Sequence, residues 1–158
     1  MSCLIKQKSI RKEVSFQGFA LHTGIKSKLK LSPAIDNTGI IFIRKDLKKN
    51  NIIKASWNNV CNTKLCTTIS NESGVTVSTI EHLMSAISAL QIDNLKIEIS
   101  GPELPILDGS SKMYFKKISD VGVVSQEKDK RFIKILKKIS VEDSASQASL
   151  SPSKNNFN

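Results

Sequence analysis

The feature that most constrains this chain is a change of hydrophobic period near residue 80, followed by a change back near residue 95. Lys26 to Leu31 alternates, with Lys28 and Lys30 on one side and Leu29 and Leu31 on the other, as a half-buried strand requires. Ile80, Leu83, Met84, Ile87 and Leu90 then recur at helical spacing and predict a helix of about three turns. Leu95, Ile97 and Ile99 restore the alternation against Lys96 and Glu98. A chain that passes from strand to helix to strand must bury one face of a sheet beneath an apolar helical stripe.

The remaining segments fill in this outline. Ile5 to Val14 reads as a first strand, with turns at Gly18 and Gly24. Gly39 to Arg44 is more continuously apolar and is expected to form a hairpin with the Lys26–Leu31 strand, across Pro33 and Asp36-Asn37-Thr38-Gly39. Lys45 to Asn51 is a polar loop. Leu65 to Ile69 and Gly74 to Ser78 read as extended, joined by Asn71-Glu72-Ser73-Gly74. The prolines of Gly101-Pro102-Glu103-Leu104-Pro105 make a rigid turn without regular pairing. A second helix is expected over Ser110 to Asp120, capped by Asp108 or Ser110. Ser125 to Lys130 reads as a polar linker, and Arg131 to Val141 as a last extended stretch. From Ser144 the chain is small and polar, either a flexible tail or the start of something left unfinished. The expected fold is α+β, a β-sheet covered on one face by a pair of helices.

Composition narrows the function classes. At 158 residues, 39% hydrophobic and 24% charged, the chain can bury a core and is not of the disordered type. No run is apolar enough to span a bilayer, and Met1 to Lys8 lacks a secretory signal core, so the expected location is cytoplasmic. The three cysteines, Cys3, Cys61 and Cys66, read as free thiols. Net charge is +10, yet only Arg11, Arg44 and Arg131 are arginines. Lysines scattered along a chain with few aromatics to stack bases make nucleic acid a disfavoured partner. The alternatives are a solvated lysine-rich face, or attraction to an anionic small molecule or membrane surface.

Histidine chemistry has only His22 and His82 to work with. Glu81 and His82 adjoin at the expected strand-to-helix junction, where both can border a cavity off the helix end. If His82 binds a metal, Glu81 is placed to take a proton from water, the work of a general base in hydrolysis. Two plainer readings compete. Ser78 followed by Glu81 matches a capping box, and a lone histidine can be a partly buried structural residue. Ala86 stands four residues beyond His82, which excludes a His-Glu-x-x-His helix. A catalytic zinc usually takes three protein ligands, and few candidates exist beside His82. Cys61 and Cys66 have a permissible metal spacing, but on one regular strand they would point to opposite faces. His22, in Leu21-His22-Thr23-Gly24, is either a solvent-facing turn residue or a donor to a ligand.

Taken together, several segments carry a resemblance. They are Gly18-Phe19-Ala20-Leu21-His22-Thr23-Gly24, Ser32-Pro33-Ala34 leading to Gly39 and Arg44, and Leu65-Cys66-Thr67. Ser78-Thr79-Ile80-Glu81-His82-Leu83, Ile92-Asp93-Asn94 and Pro102-Glu103-Leu104-Pro105-Ile106-Leu107-Asp108-Gly109-Ser110 continue it. In number, order and spacing they resemble the amino-terminal part of the UDP-3-O-acyl-N-acetylglucosamine deacetylases, zinc enzymes of lipid A biosynthesis.

The resemblance implies two similar α+β domains packed face to face around the active site, of which this chain is the first. Residues 1–125 would form that domain, and residues 126–158 a linker, an incomplete start of the second domain and a polar tail. His82 would be a zinc ligand and Glu81 the general base, while His22, Leu65 and Cys66 would line the substrate pocket. Asp108 and Gly109 would organise a turn. The family's remaining zinc ligands, a histidine and an aspartate, lie in the second domain and have no counterpart here. The implied substrate is an acylated UDP-sugar, with acetate released. The implied partners are a separately encoded second domain and, transiently, the inner-membrane surface. Two departures stand out: Ala20 replaces a glycine, and Ser111-Lys112-Met113-Tyr114-Phe115 replaces a segment of small residues, proline and aromatic. An inactive truncated fragment, or a small basic nucleic-acid-binding protein, are the alternatives.

Overall fold

The computed structural model describes residues 5–153, so Cys3 and the part of the polar tail beyond Ser153 lie outside the described residues. The fold is α+β. Its first strand, β1 (Lys6–Ile10), is shorter than the sequence suggests. The exposed Arg11-Lys12-Glu13 run interrupts the expected strand, and Val14 opens β2 (Val14–Phe19). β2 pairs antiparallel with β3 (Lys26–Pro33), setting Phe16 opposite Leu29. In β3, Leu29 and Leu31 are buried while Lys28 and Lys30 are exposed, as the alternation requires.

The expected hairpin between β3 and β4 (Ile40–Arg44) does not form. Three strands labelled in chain order resolve the sheet: β4, β5 (Ile52–Lys54) and, much later, β9 (Leu95–Ile99). β9 inserts between β3 and β4, antiparallel to the first and parallel to the second, giving the order β2-β3-β9-β4-β5. The reason is burial. Leu95, Ile97 and Ile99 are each 0% exposed, and a central place gives this strand a hydrogen-bonded neighbour at both edges. Leu31, Ile97, Phe42 and Ile53 form one buried row across four strands.

Between β5 and β9 the chain makes a 3₁₀ turn, Trp57–Asn59, and a small sheet of β6 (Val60–Asn62), β7 (Thr68–Ser70) and β8 (Thr76–Val77). The last two are shorter than expected because Leu65 and Gly74 take positive φ. The helix α1 (Glu81–Ala89) follows, and α2 (Lys112–Val121) packs against it. Leu83, Ala86 and Ile87 of α1, with Tyr114 and Ile118 of α2, cover the apolar sheet face. Each large side chain so buried contributes about 1.5–3 kcal/mol. The Tyr114 hydroxyl donates to Pro105 O at 2.6 Å, its ring lies 4.8 Å from that of Phe16, and burial pushes the phenol pKa up.

Ser125 to Lys130, expected as a linker, is mostly strand. β10 (Val123–Asp129) pairs antiparallel with β1. Polar side chains fasten it: Gln126 Nε2 donates to Ala34 O and Gln126 Oε1 accepts from Asn94 Nδ2, each at 2.8 Å. Further on, strand structure begins only at β11 (Ile139–Asp143), which pairs with β12 (Ser146–Leu150) in a hairpin exposed at every position. Within the polar segment after Ser144, Ser146–Leu150 is therefore paired through its backbone.

Candidate functional site

Four segments meet at the amino-terminal end of α1. Ser78 N donates to Pro102 O at 2.9 Å and Ser78 O accepts from Leu104 N at 3.2 Å, laying residues 102–104 beside the end of β8. Thr79 then takes φ 57°, a left-handed conformation that strains a β-branched residue. That bend turns the chain from strand into helix. Ile80, in the N-cap position, is already helical and has no side-chain capping bond.

The capping-box reading of Glu81 is therefore overturned. Such a box needs an extended residue ahead of the first turn, and the left-handed Thr79 removes it. Ser78 Oγ instead donates to Pro102 O at 3.2 Å. Glu81 Oε2 accepts the Thr67 N–H at 2.9 Å, and Ile80 N donates to Thr67 O at 3.4 Å. These two bonds dock residues 65–67 against the head of the helix. Glu81 also sits in the first helical turn, where the helix dipole favours a negative charge.

His82 is half-buried, and among the described residues its ring has no hydrogen-bond partner. Leu65 stands 83% exposed at φ 66°. Cys66 is half-buried, its Sγ 3.7 Å from Thr68 Oγ1. Cys61 is an exposed residue of β6, whereas Cys66 lies in the loop before β7, so they share no strand and are free thiols. His22 is exposed in its turn, and its contribution to the fold is made by its backbone. Phe19 and Leu21 beside it are 65% and 59% exposed, which makes this rim apolar.

Glu103, passed over in the sequence as part of a rigid turn, ties these pieces together. Its side chain is 0% exposed and accepts from His22 N at 2.9 Å, Thr23 N at 2.9 Å and Thr79 Oγ1 at 3.0 Å. Burial works against its ionisation, but the His22, Thr23 and Thr79 donors outweigh it and hold the carboxyl below the usual glutamate range. An acid set between two prolines, unable to cap a helix, was the available signal. Thr67 and Thr79 gave none, because their roles depend on contacts distant in sequence.

The turn carrying His22 is built for close approach. A Cβ at Gly18 would meet Pro105 Cβ at 3.1 Å and Leu107 Cδ2 at 3.3 Å. Ala20 costs nothing in place of glycine, because it pairs as a bridge with Pro105 and is not in the left-handed region. Asp108 accepts from Ser110 N and Oγ at 3.1 and 3.0 Å, and Ser110 Oγ accepts from Lys112 N at 3.1 Å. These bonds order the turn into α2, which begins two residues later than expected, and Lys112 and Met113 lie within its first turn.

His22, Leu65, Cys66, Glu81 and His82 thus belong to segments joined by direct hydrogen bonds around one helix end. Among the described residues no three His, Cys, Asp or Glu side chains converge as a metal-binding group. The class so defined is an α+β domain that presents an adjoining carboxylate and imidazole on an apolar-rimmed edge. The chain belongs to the UDP-3-O-acyl N-acetylglycosamine deacetylase (LpxC) family, whose model matches residues 7–158. It is 44% identical over 152 residues to the UDP-3-O-acyl-N-acetylglucosamine deacetylase of Haemophilus ducreyi, covering 96% of this chain and 50% of that protein. The Pasteurella multocida protein of the same name is 42% identical over 149 residues, covering 94% and 49%. The chain spans about half the length of these relatives.

Proposed function

We propose that this chain contributes the general base and one zinc ligand to a deacetylase that removes the N-acetyl group of an acylated UDP-N-acetylglucosamine in lipid A biosynthesis. The observation that carries this reading is the state of Glu81 and His82. One Glu81 oxygen is anchored by Thr67 N–H, the other has no partner among the described residues, and the adjoining imidazole is unpaired. A fixed carboxylate with one free oxygen can take a proton from water attacking an amide carbonyl. The donor set fits one ligand, His82, to zinc. When bound, zinc supplies Lewis acidity at the reacting carbonyl.

The other residues act by position. Cys66 and Leu65 border the carboxylate through Thr67, and the His22 turn borders it through Glu103 and Thr79. Exposed Phe19, Leu21 and Leu65 suit an acyl chain or the wall of a covering domain. The basic chain suits a diphosphate. Residues from 131 onward lead into the second domain of the proposed enzyme. Free thiols and an acylated nucleotide substrate accord with a cytoplasmic setting near a membrane surface. Among the described residues no helix is long and apolar enough to cross a membrane.

A second reading concerns the chain by itself. It is favoured by the absence of a three-ligand group among the described residues, which leaves His82 one member of a set that zinc enzymes complete with others. On this reading the isolated chain is inactive, and its chemistry appears only with the remainder of the site.

The reading is tested with a chimera in which this chain replaces the matching half of the Haemophilus ducreyi relative. Acetate release from the acylated UDP-sugar should be zinc-dependent and fall roughly 100-fold or more on Glu81→Gln. A folded chimera that keeps its full rate with both Glu81→Gln and His82→Ala would contradict it.

A further inference from the structure

We infer that Glu103 is a positioning residue: its ionised carboxylate locks the His22 turn and the left-handed Thr79 into one rigid unit that sets the direction of Glu81 and His82. The inference rests on the reading of Glu81 and His82 as base and ligand.

Burying a carboxylate is costly unless its oxygens are satisfied. Glu103 is 0% exposed and no cation pairs with it among the described residues, so its charge is met by donors of His22, Thr23 and Thr79 on two distant segments. Bracing the His22 turn alone needs only the two backbone bonds. The third bond, from Thr79, reaches the residue whose bend launches α1, and it shares oxygen Oε1 with the His22 amide. The backbone bonds between Ser78 and residues 102 and 104 fix the carboxylate's own position. Both oxygens serve as acceptors facing donors. Glutamine cannot replace this arrangement, because its NH₂ would face a donor. The depressed pKa of Glu103 is consistent with a carboxylate that stays ionised inside the fold.

The experiment uses the isotope-labelled 158-residue chain and Zn²⁺ itself as probe, read from the His82 ring resonances. Glu103→Gln should weaken the Zn²⁺ response of His82 roughly fivefold or more and speed amide exchange at His22 and Thr23 roughly tenfold. Tyr114→Phe is the control for mere loosening. It removes the hydroxyl bond to Pro105 O in the same loop, and it should leave the His82 response within about twofold of wild type. Thr79→Val, which removes only the third bond, should weaken the response, and Thr79→Ser should restore it. This pair decides the matter if Glu103→Gln does not fold. Faster exchange at His22 and Thr23 with an unaltered His82 response would reduce Glu103 to a local brace and overturn the inference. So would an equal effect of Tyr114→Phe. A wild-type His82 that ignores Zn²⁺ counts against the ligand reading instead. Glu103 is then judged by the Glu81 and His82 backbone shifts, and no displacement in Thr79→Val relative to Thr79→Ser would overturn it.

Discussion

Glu81 and Glu103 occupy the same end of α1, and their surroundings give them different tasks. Glu81 is half-buried and held through one oxygen, whereas Glu103 is enclosed and held through both. The difference predicts a pH dependence. Because the folded carboxyl of Glu103 lies below the ordinary value of 4.5, its stabilising contribution is complete above that value. It is lost as pH falls through the depressed folded value. Urea midpoints measured from about pH 6 downward should drop over this window, and Glu103→Gln should flatten that part of the curve. A wild-type midpoint that stays level there would contradict the assignment. At this scale the sequence displayed the adjoining Glu81 and His82 openly, since neighbours need no fold to meet. Glu103, Thr67 and Thr79 stayed hidden because they act only once residues separated by up to 81 positions are brought together.

Period revealed where β3, α1 and β9 lie, since alternation and helical spacing are local properties. It could not reveal that β9 would separate β3 from β4, because strand order depends on which strand most needs both edges covered. Composition likewise misdirected the reading of Ser125 to Lys130: β10 is held by its backbone and by Gln126, so its polar side chains look like a linker. Two predictions belong to elements. Arg44, 8% exposed, reaches Asp46 through Nε at 2.9 Å and Nη2 at 2.6 Å, and Thr76 O through Nη1 at 2.7 Å. It thereby couples β4 to β8. Arg44→Lys cannot reproduce the fork and should cost about 2 kcal/mol in denaturant unfolding. Beyond the last turn of α1, Gln91 takes φ 56°, where glycine is the usual residue. Gln91→Gly should stabilise the chain by about 1 kcal/mol despite losing the exposed Lys8 contact, and a lower midpoint would show that this contact matters more than the backbone strain.

Across the whole molecule, burial is uneven. The sheet and helix layers share one core, while Ile139, Val141 and Leu150 of the β11–β12 hairpin are 50%, 65% and 61% exposed. An isolated two-stranded hairpin is marginal in water. Amides of residues 139–150 should therefore exchange far faster than those of β3 and β9, and equal protection would mean that something covers the hairpin. The α+β class and the helical pair were visible in the sequence because apolar patterning decides layers. The proposed role in a shared active site rests on the resemblance, because the local chemistry of Glu81 and His82 names no complement. The central claim, that the chain carries the base and one ligand of a zinc site, is tested most directly by zinc titration of the isolated chain with acetate release followed in parallel. Zinc binding by the isolated chain should be weak and abolished by His82→Ala, and turnover negligible. Tight binding of one zinc with sustained acetate release, lost on His82→Ala, would show a complete site within these residues and contradict that claim.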